Sequence, residues 1–110
     1  MISLTKDKRM LGYEALAPYP DISCFVTTRH GGCSTGNYAS FNCTPYTGDH
    51  PDCVRKNQEL LCAALPFTPR ELVIPFQTHG ISSLIIDETY LNATHRERPS
   101  MLQGDDALIT

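Results

Sequence analysis

The feature that most constrains this chain is an amphipathic run bracketed by prolines, GDHPDCVRKNQELLCAALP from Gly48 to Pro66. Val54, Asn57, Leu61 and Ala64 recur at helical intervals, with Leu60 and Leu65 beside them, so one face of a helix carries the apolar side chains. Asp49 suits the N-cap, Pro51 suits the first turn, and Pro66 cannot continue the hydrogen-bond ladder. The spacing predicts a helix over 51–65.

The other apolar segments are short and read as strands. Ile22 to Arg29 is rich in β-branched and aromatic residues and is closed by Gly31-Gly32. His30 to Tyr38, HGGCSTGNY, then has the composition of a loop whose backbone takes unusual angles or approaches another segment closely. Ser40 to Thr44 reads as a short extended piece, and Thr68-Pro69-Arg70-Glu71 as a capping signal for one further helical turn. Leu72 to Gln77 reads as a strand whose Pro75 favours a sheet edge. Ser83 to Asp87 is nearly all apolar, as in a strand buried on both faces. Glu88 to Asp105 is polar without a clear period and reads as a surface loop. Ala107-Leu108-Ile109 begins another strand next to Thr110, and we expect the sequence to be the N-terminal part of a longer protein.

With 110 residues, 41% hydrophobic and 19% charged, the chain falls in the ordinary globular class and can bury a core without covalent staples. A single domain is expected. The formal charge of -3 has no long run of either sign, which leaves nucleic acid or an anionic membrane surface without an electrostatic footprint. Neither a signal-peptide pattern nor an apolar stretch of bilayer-spanning length is present, so the expected location is the cytoplasm. Five cysteines, an odd count, then read as reduced thiols rather than a disulfide framework.

Several residues have the chemistry of a site, each with a plainer reading beside it. His79, in Phe76-Gln77-Thr78-His79-Gly80, follows a strand and precedes a glycine; it is either a displayed zinc ligand or a histidine satisfied within a turn. Arg29, at a strand end beside the glycine loop, presents a planar fork for phosphate or carboxylate, or else forms a surface salt bridge. Ser40 and Asn42 share one face of an extended segment with Phe41 on the other; they suit a polar substrate and equally suit loop backbone groups. His30-x-x-Cys33 and His50-x-x-Cys53 together would supply two nitrogens and two thiolates for a small structural zinc module. Asp87 and Asp105 read as solvated or capping acids, and Asp106 lies directly before the final apolar run.

Taken in order, TTRHGGCS, YASFN, GDHPDCVRKNQELLCAAL, PFQTHG and GDDALIT resemble the YfiH-like laccase-domain family, over about residues 22–110. That family was once labelled polyphenol oxidase and is now regarded as purine nucleoside phosphorylases. The resemblance implies an α/β (α+β) fold, a layered sandwich of mixed β-sheet with helices, of which this chain holds the N-terminal part. It implies zinc held by His79 together with a Cys and a second His that belong to the missing C-terminal half of the same protein. Arg29, Ser40, Asn42 and Gln77 match polar positions of the family pocket, and Asp106 matches the acid of the final strand, which makes His79, Arg29 and Asp106 the expected catalytic set. The implied reaction is phosphorolysis of a purine nucleoside (adenosine, inosine, guanosine or methylthioadenosine), with adenosine deamination as a second activity and a homo-oligomer as a possible assembly. The older label implies a copper-dependent oxidase of phenols, for which the chain has no His-x-His pair. As an isolated fragment the chain is expected to be inactive.

Overall fold

The computed structural model describes residues 1–65 and 72–110. Its elements fall into two compact units, Met1–Leu72 and Val73–Thr110. The capping turn read at Thr68–Glu71 and the stop at Pro66 lie outside the described residues. Helices occur with antiparallel strands in one unit and with parallel strands in the other, which agrees with the α/β expectation.

In the first unit, β1 (Ile2–Ser3), β2 (Met10–Gly12) and β3 (Phe25–Thr27) form an antiparallel sheet in that order. Ile2 lies opposite Gly12 and Leu11 opposite Val26. The β1–β2 connection is closed by the Leu4 N–H donating to the Met10 carbonyl at 2.9 Å. The strand expected over 22–29 is limited to 25–27 because β2 offers only three residues to pair with. Ser40 to Thr44 joins no sheet; Phe41 is buried there and pairs its ring with the interior instead.

Helix α1 (Pro51–Ala63) matches the periodicity, with Val54, Asn57 and Leu61 buried. Leu61 packs with Met10 and Phe41, and Phe25, Cys43, Leu60 and Leu65 surround that core. One detail differs from expectation. The N-cap is His50, whose Nδ1 accepts the Asp52 N–H at 3.2 Å, because the Asp49 carboxylate is engaged by Ser34 and Asn42.

In the second unit, β4 (Ser83–Ile85) and β5 (Ala107–Ile109) pair in parallel, Ser83 opposite Ala107 and Ile85 opposite Ile109. Three expectations are corrected here. The strand at 72–77 is reduced to a bridge between Phe76 and Gln103, since Pro75 has no N–H to give. The β4 strand is not buried on both faces: Ile85 is 61% and its β5 neighbour Ile109 55% exposed. The segment 88–105 is not an irregular loop but carries α2 (Glu88–Leu91) and α3 (Arg98–Met101). Asp87 caps α2 by accepting the Thr89 and Tyr90 N–H groups, while Thr94 and Glu97 bond each other's backbone N–H in a reciprocal capping box. Both helices are one turn long, too short to leave a periodic signal. Tyr90 and Leu102 are buried in this unit, and the Arg98 guanidinium sits 5.0 Å from the Tyr90 ring centre. No described helix is long and apolar enough to cross a membrane.

Candidate functional site

Each unit carries one group of the residues singled out above. In the first, Arg29 ends the strand region and opens the glycine loop. Its carbonyl accepts the Ser40 N–H at 2.7 Å, the Phe41 N–H at 3.0 Å and the Ser40 hydroxyl at 2.9 Å. Its Nε donates to the Ala39 carbonyl at 2.9 Å, while its terminal nitrogens make no hydrogen bond among the described residues. The guanidinium is thus fixed at one edge and open at the other. Arg29 lines an open cleft of about 410 Å³ with Thr28, Asn37, Tyr38, Phe41 and Asn42.

The walls of this cleft are held by polar groups that the sequence did not flag. Asn57 is fully buried on α1. Its Oδ1 accepts the Cys33 N–H at 2.9 Å, and its Nδ2 donates to the Ser34 hydroxyl and to the Ser40 and Asn42 carbonyls at 2.9, 3.2 and 2.8 Å. One side chain therefore ties helix, glycine loop and the 40–42 segment together. The signal was present: an amide on the apolar face of a helix must find partners inside. Arg9 was also missed. Its Nε and Nη2 donate to the Gly31 carbonyl at 3.1 and 2.8 Å, and its guanidinium lies 5.3 Å from the Phe41 ring centre and pairs with Asp7 at 2.8 Å. Gly32 lies so close to the Ser40 carbonyl that a Cβ there would collide with main chain.

Ser40 and Asn42 spend their side chains on this frame. The Ser40 hydroxyl accepts the Gly32 N–H at 3.1 Å, and the Asn42 amide donates to Thr47 and Asp49 at 3.0 and 3.1 Å while its oxygen accepts the Thr44 N–H. The Ser34 hydroxyl, with help from Asn42 and the His50 N–H, holds the Asp49 carboxyl below the usual carboxylate range.

In the second unit, Gln77, His79 and Asp106 come together. The Asp106 carboxylate accepts the N–H groups of Thr78 and His79, each at 2.9 Å, and that of Gly80 at closer range. The Gln77 amide donates to the Asp106 carbonyl at 3.4 Å. His79 has a left-handed backbone with φ of 61°, and its ring is exposed and makes no hydrogen bond among the described residues. Such a φ disfavours a side chain with a Cβ, so an anion bonded to three successive N–H groups gives the turn a reason to persist.

The four residues of the alternative zinc module do not assemble. Among the described residues no group of three or more His, Cys, Asp or Glu is placed to hold a metal ion. Cys33 and Cys53 do meet, each thiol donating to the other's carbonyl, and hydrogen bonding with the Cys33 side chain is the main cause that pushes the Cys53 thiol above its ordinary range. His50, however, is turned into the α1 N-terminus as its cap, which withdraws one nitrogen from any such set.

The sequence matches the family described as multi-copper polyphenol oxidoreductase laccase over residues 23–110. The chain belongs to that family. It is 62% identical, over its whole length, to a purine nucleoside phosphorylase of Bacteroides thetaiotaomicron, of which it spans 41%. It is 33% identical over 84 residues to a purine nucleoside phosphorylase of Corynebacterium glutamicum, covering 76% of this chain and 32% of that protein. An adenosine deaminase from an unknown prokaryotic organism is 32% identical over 89 residues, covering 81% of this chain and 34% of the relative. No solved structure matches significantly. The chain thus spans about two fifths of the length of the most similar of these relatives.

Proposed function

We propose that this laccase-family chain contributes to a purine nucleoside phosphorylase, which moves the sugar of a purine nucleoside onto phosphate and releases the free base. The observation that carries this reading is the Arg29 fork, braced at Nε by Ala39 and open at its terminal nitrogens along the cleft. A planar, permanently charged donor pair of this kind suits a phosphate oxygen pair, and it neutralises the nucleophile's charge as it approaches the sugar. Tyr38 on the cleft wall gives an aromatic surface beside that cation, as a purine requires. Ser40 and Asn42, with Asn57 behind them, keep that wall in place, and Gln77 supports the turn that displays His79. The similarity to relatives named purine nucleoside phosphorylase supports the same reading.

Adenosine, inosine, guanosine and methylthioadenosine form the proposed substrate range, and adenosine deamination is the proposed second reaction, supported by the relative named adenosine deaminase. His79 fits one position of a zinc site, because its ring is exposed and free of hydrogen bonds to the described residues while its main chain is pinned by Asp106. With further ligands from outside this chain, zinc held there would supply Lewis acidity. Asp106 is then a positioning residue, since its carboxylate is occupied by the turn it holds. The five free thiols fit a reducing compartment, and the cytoplasm is the proposed location.

The test is base release from inosine by the full-length protein with and without inorganic phosphate. Release that requires phosphate and yields ribose 1-phosphate in equal amount is the expected result. Release at the same rate in phosphate-free buffer overturns the reading.

A further inference from the structure

Cys33 and Cys53 stand twenty positions apart in sequence, one in the glycine loop and the other in the first turn of α1. Their side chains are crossed. The Cys33 thiol donates to the Cys53 carbonyl at 3.3 Å, and the Cys53 thiol donates to the Cys33 carbonyl at 3.6 Å. Both residues are half-buried, which leaves a small oxidant a way in while restricting each thiol's choice of partner. The approach is also fixed from behind: Asn57 holds the Cys33 N–H at 2.9 Å, and the His50 carbonyl accepts the Cys53 N–H at 3.1 Å.

From this juxtaposition we propose that Cys33 and Cys53 form a reversible redox pair, a modification site at which a low-molecular-weight disulfide such as glutathione disulfide cross-links the glycine loop to α1. One thiolate attacks a sulfur of the oxidant, forming a mixed disulfide and releasing one glutathione thiolate. The second cysteine then attacks the protein sulfur of that mixed disulfide, forming the Cys33–Cys53 bond and releasing the second glutathione. The two protons lost by the protein thiols end on the two glutathione molecules, so the protein is oxidised by two electrons and the oxidant reduced by two. The bond closes a loop that contains Asn37, Tyr38 and Asn42, all on the wall of the cleft. Cross-linking therefore restrains that wall and leaves Arg29, outside the closed loop, unmodified.

The remaining cysteines give an internal control. Cys24 is exposed, and Cys43 donates to the Phe41 carbonyl of its own segment at 3.8 Å. The experiment is incubation of the full-length protein with glutathione disulfide, alkylation of residual thiols and peptide mass spectrometry. Trypsin releases residues 30–55 as one peptide holding Cys33, Cys43 and Cys53, and chymotrypsin separates the three at Tyr38, Phe41 and Tyr46. The expected result is a chymotryptic cross-link between the Cys33 and Cys53 fragments, with Cys43 alkylated, reversed by dithiothreitol. In the Cys53→Ser protein, the Cys33–glutathione adduct should accumulate at least tenfold over its level in the parent protein, because the second attack is missing. Independent glutathione adducts on both cysteines of the parent protein, a bond from either one to Cys24, Cys43 or Cys62, or no reaction at Cys33 and Cys53 while Cys24 is fully modified would each overturn the proposal. Should Cys53→Ser fail to fold, the cross-link map of the parent protein decides alone.

Discussion

Asp106 and His79 are twenty-seven positions apart, yet the Asp106 carboxylate accepts the His79 N–H at 2.9 Å and the flanking N–H groups of Thr78 and Gly80 as well. The acid directly before β5 thereby holds the left-handed turn that displays the imidazole. The resemblance led us to expect Asp106 among the catalytic residues, and its contacts describe a brace.

Replacing that brace should loosen the turn. Asp106→Ala in the full-length protein is expected to cost about 2 kcal/mol of stability, the scale of hydrogen bonds to a charged group. Urea unfolding measures this. If His79 holds zinc as proposed, bound zinc per chain, measured by elemental analysis after dialysis, should fall at the same time, and an unchanged zinc content would remove Asp106 from the positioning role.

Asn57 offers a sharper stability test. Its amide is fully buried and serves four partners, so Asn57→Ala leaves a cavity and several unpaired polar groups. A loss of about 3 kcal/mol is expected. Asn57→Asp should also destabilise at neutral pH, because three of those partners accept hydrogen bonds from Nδ2 and a carboxylate has no proton to give them.

Arg29 is exposed and contributes little to the core, so its replacement should separate binding from folding. Arg29→Ala is expected to raise the KM for phosphate roughly thirtyfold, equivalent to about 2 kcal/mol, with only a small change in Tm. Arg29→Lys should recover part of the effect, since an ammonium keeps the charge but not the planar fork. Initial rates at varied phosphate provide the check.

Acid stability carries a signature of Asp49. Its folded carboxyl lies below the ordinary 3.8, first because of the Ser34 hydroxyl. Below that ordinary value the unfolded chain takes up a proton that the folded chain refuses. The stabilisation is therefore complete above about pH 4 and lost as pH falls through the folded value. Ser34→Ala should shift the acid-unfolding midpoint upward, and a pH titration of tryptophan-independent signals such as far-ultraviolet circular dichroism would record it.

Thiol reactivity should follow burial. The Cys43 thiol is pushed up to about 11, chiefly by burial and further by neighbouring Cys62, while Cys24 is exposed. Iodoacetamide at pH 8 should modify Cys24 first and Cys43 last, as read by timed peptide mass spectrometry.

The parts legible in the sequence were those with a strong local cause. Pro51 and the Val54–Asn57–Leu61 spacing delivered α1 within two residues, the β-branched run at 22–29 located β3, and the apolar runs at 83–87 and 107–109 located β4 and β5. Ordered motifs gave the family. What stayed hidden depends on distant partners. The capping of α1 passed from Asp49 to His50 because Ser34, fifteen residues away, claims the carboxylate. The strand at 72–77 was lost to a proline whose effect depends on which neighbour is beside it. The short helices at 88–91 and 98–101 hold by caps and by Tyr90 and Leu102, without any repeating pattern. Among the candidate residues, type and position suggested what each side chain is able to do, but only the contacts revealed that Asn42 and Ser40 are occupied while Arg29 is held at Nε alone.

The missing side chain at position 32 has a last consequence. Where the glycine backbone touches the Ser40 carbonyl, the thickness of the cleft wall is set by a single hydrogen atom. Alanine there would act as a wedge, prising the Arg29 carbonyl off Ser40 and Phe41 and spreading the opening from its hinge side. The gauge of the opening is thus locked by one absent methyl group.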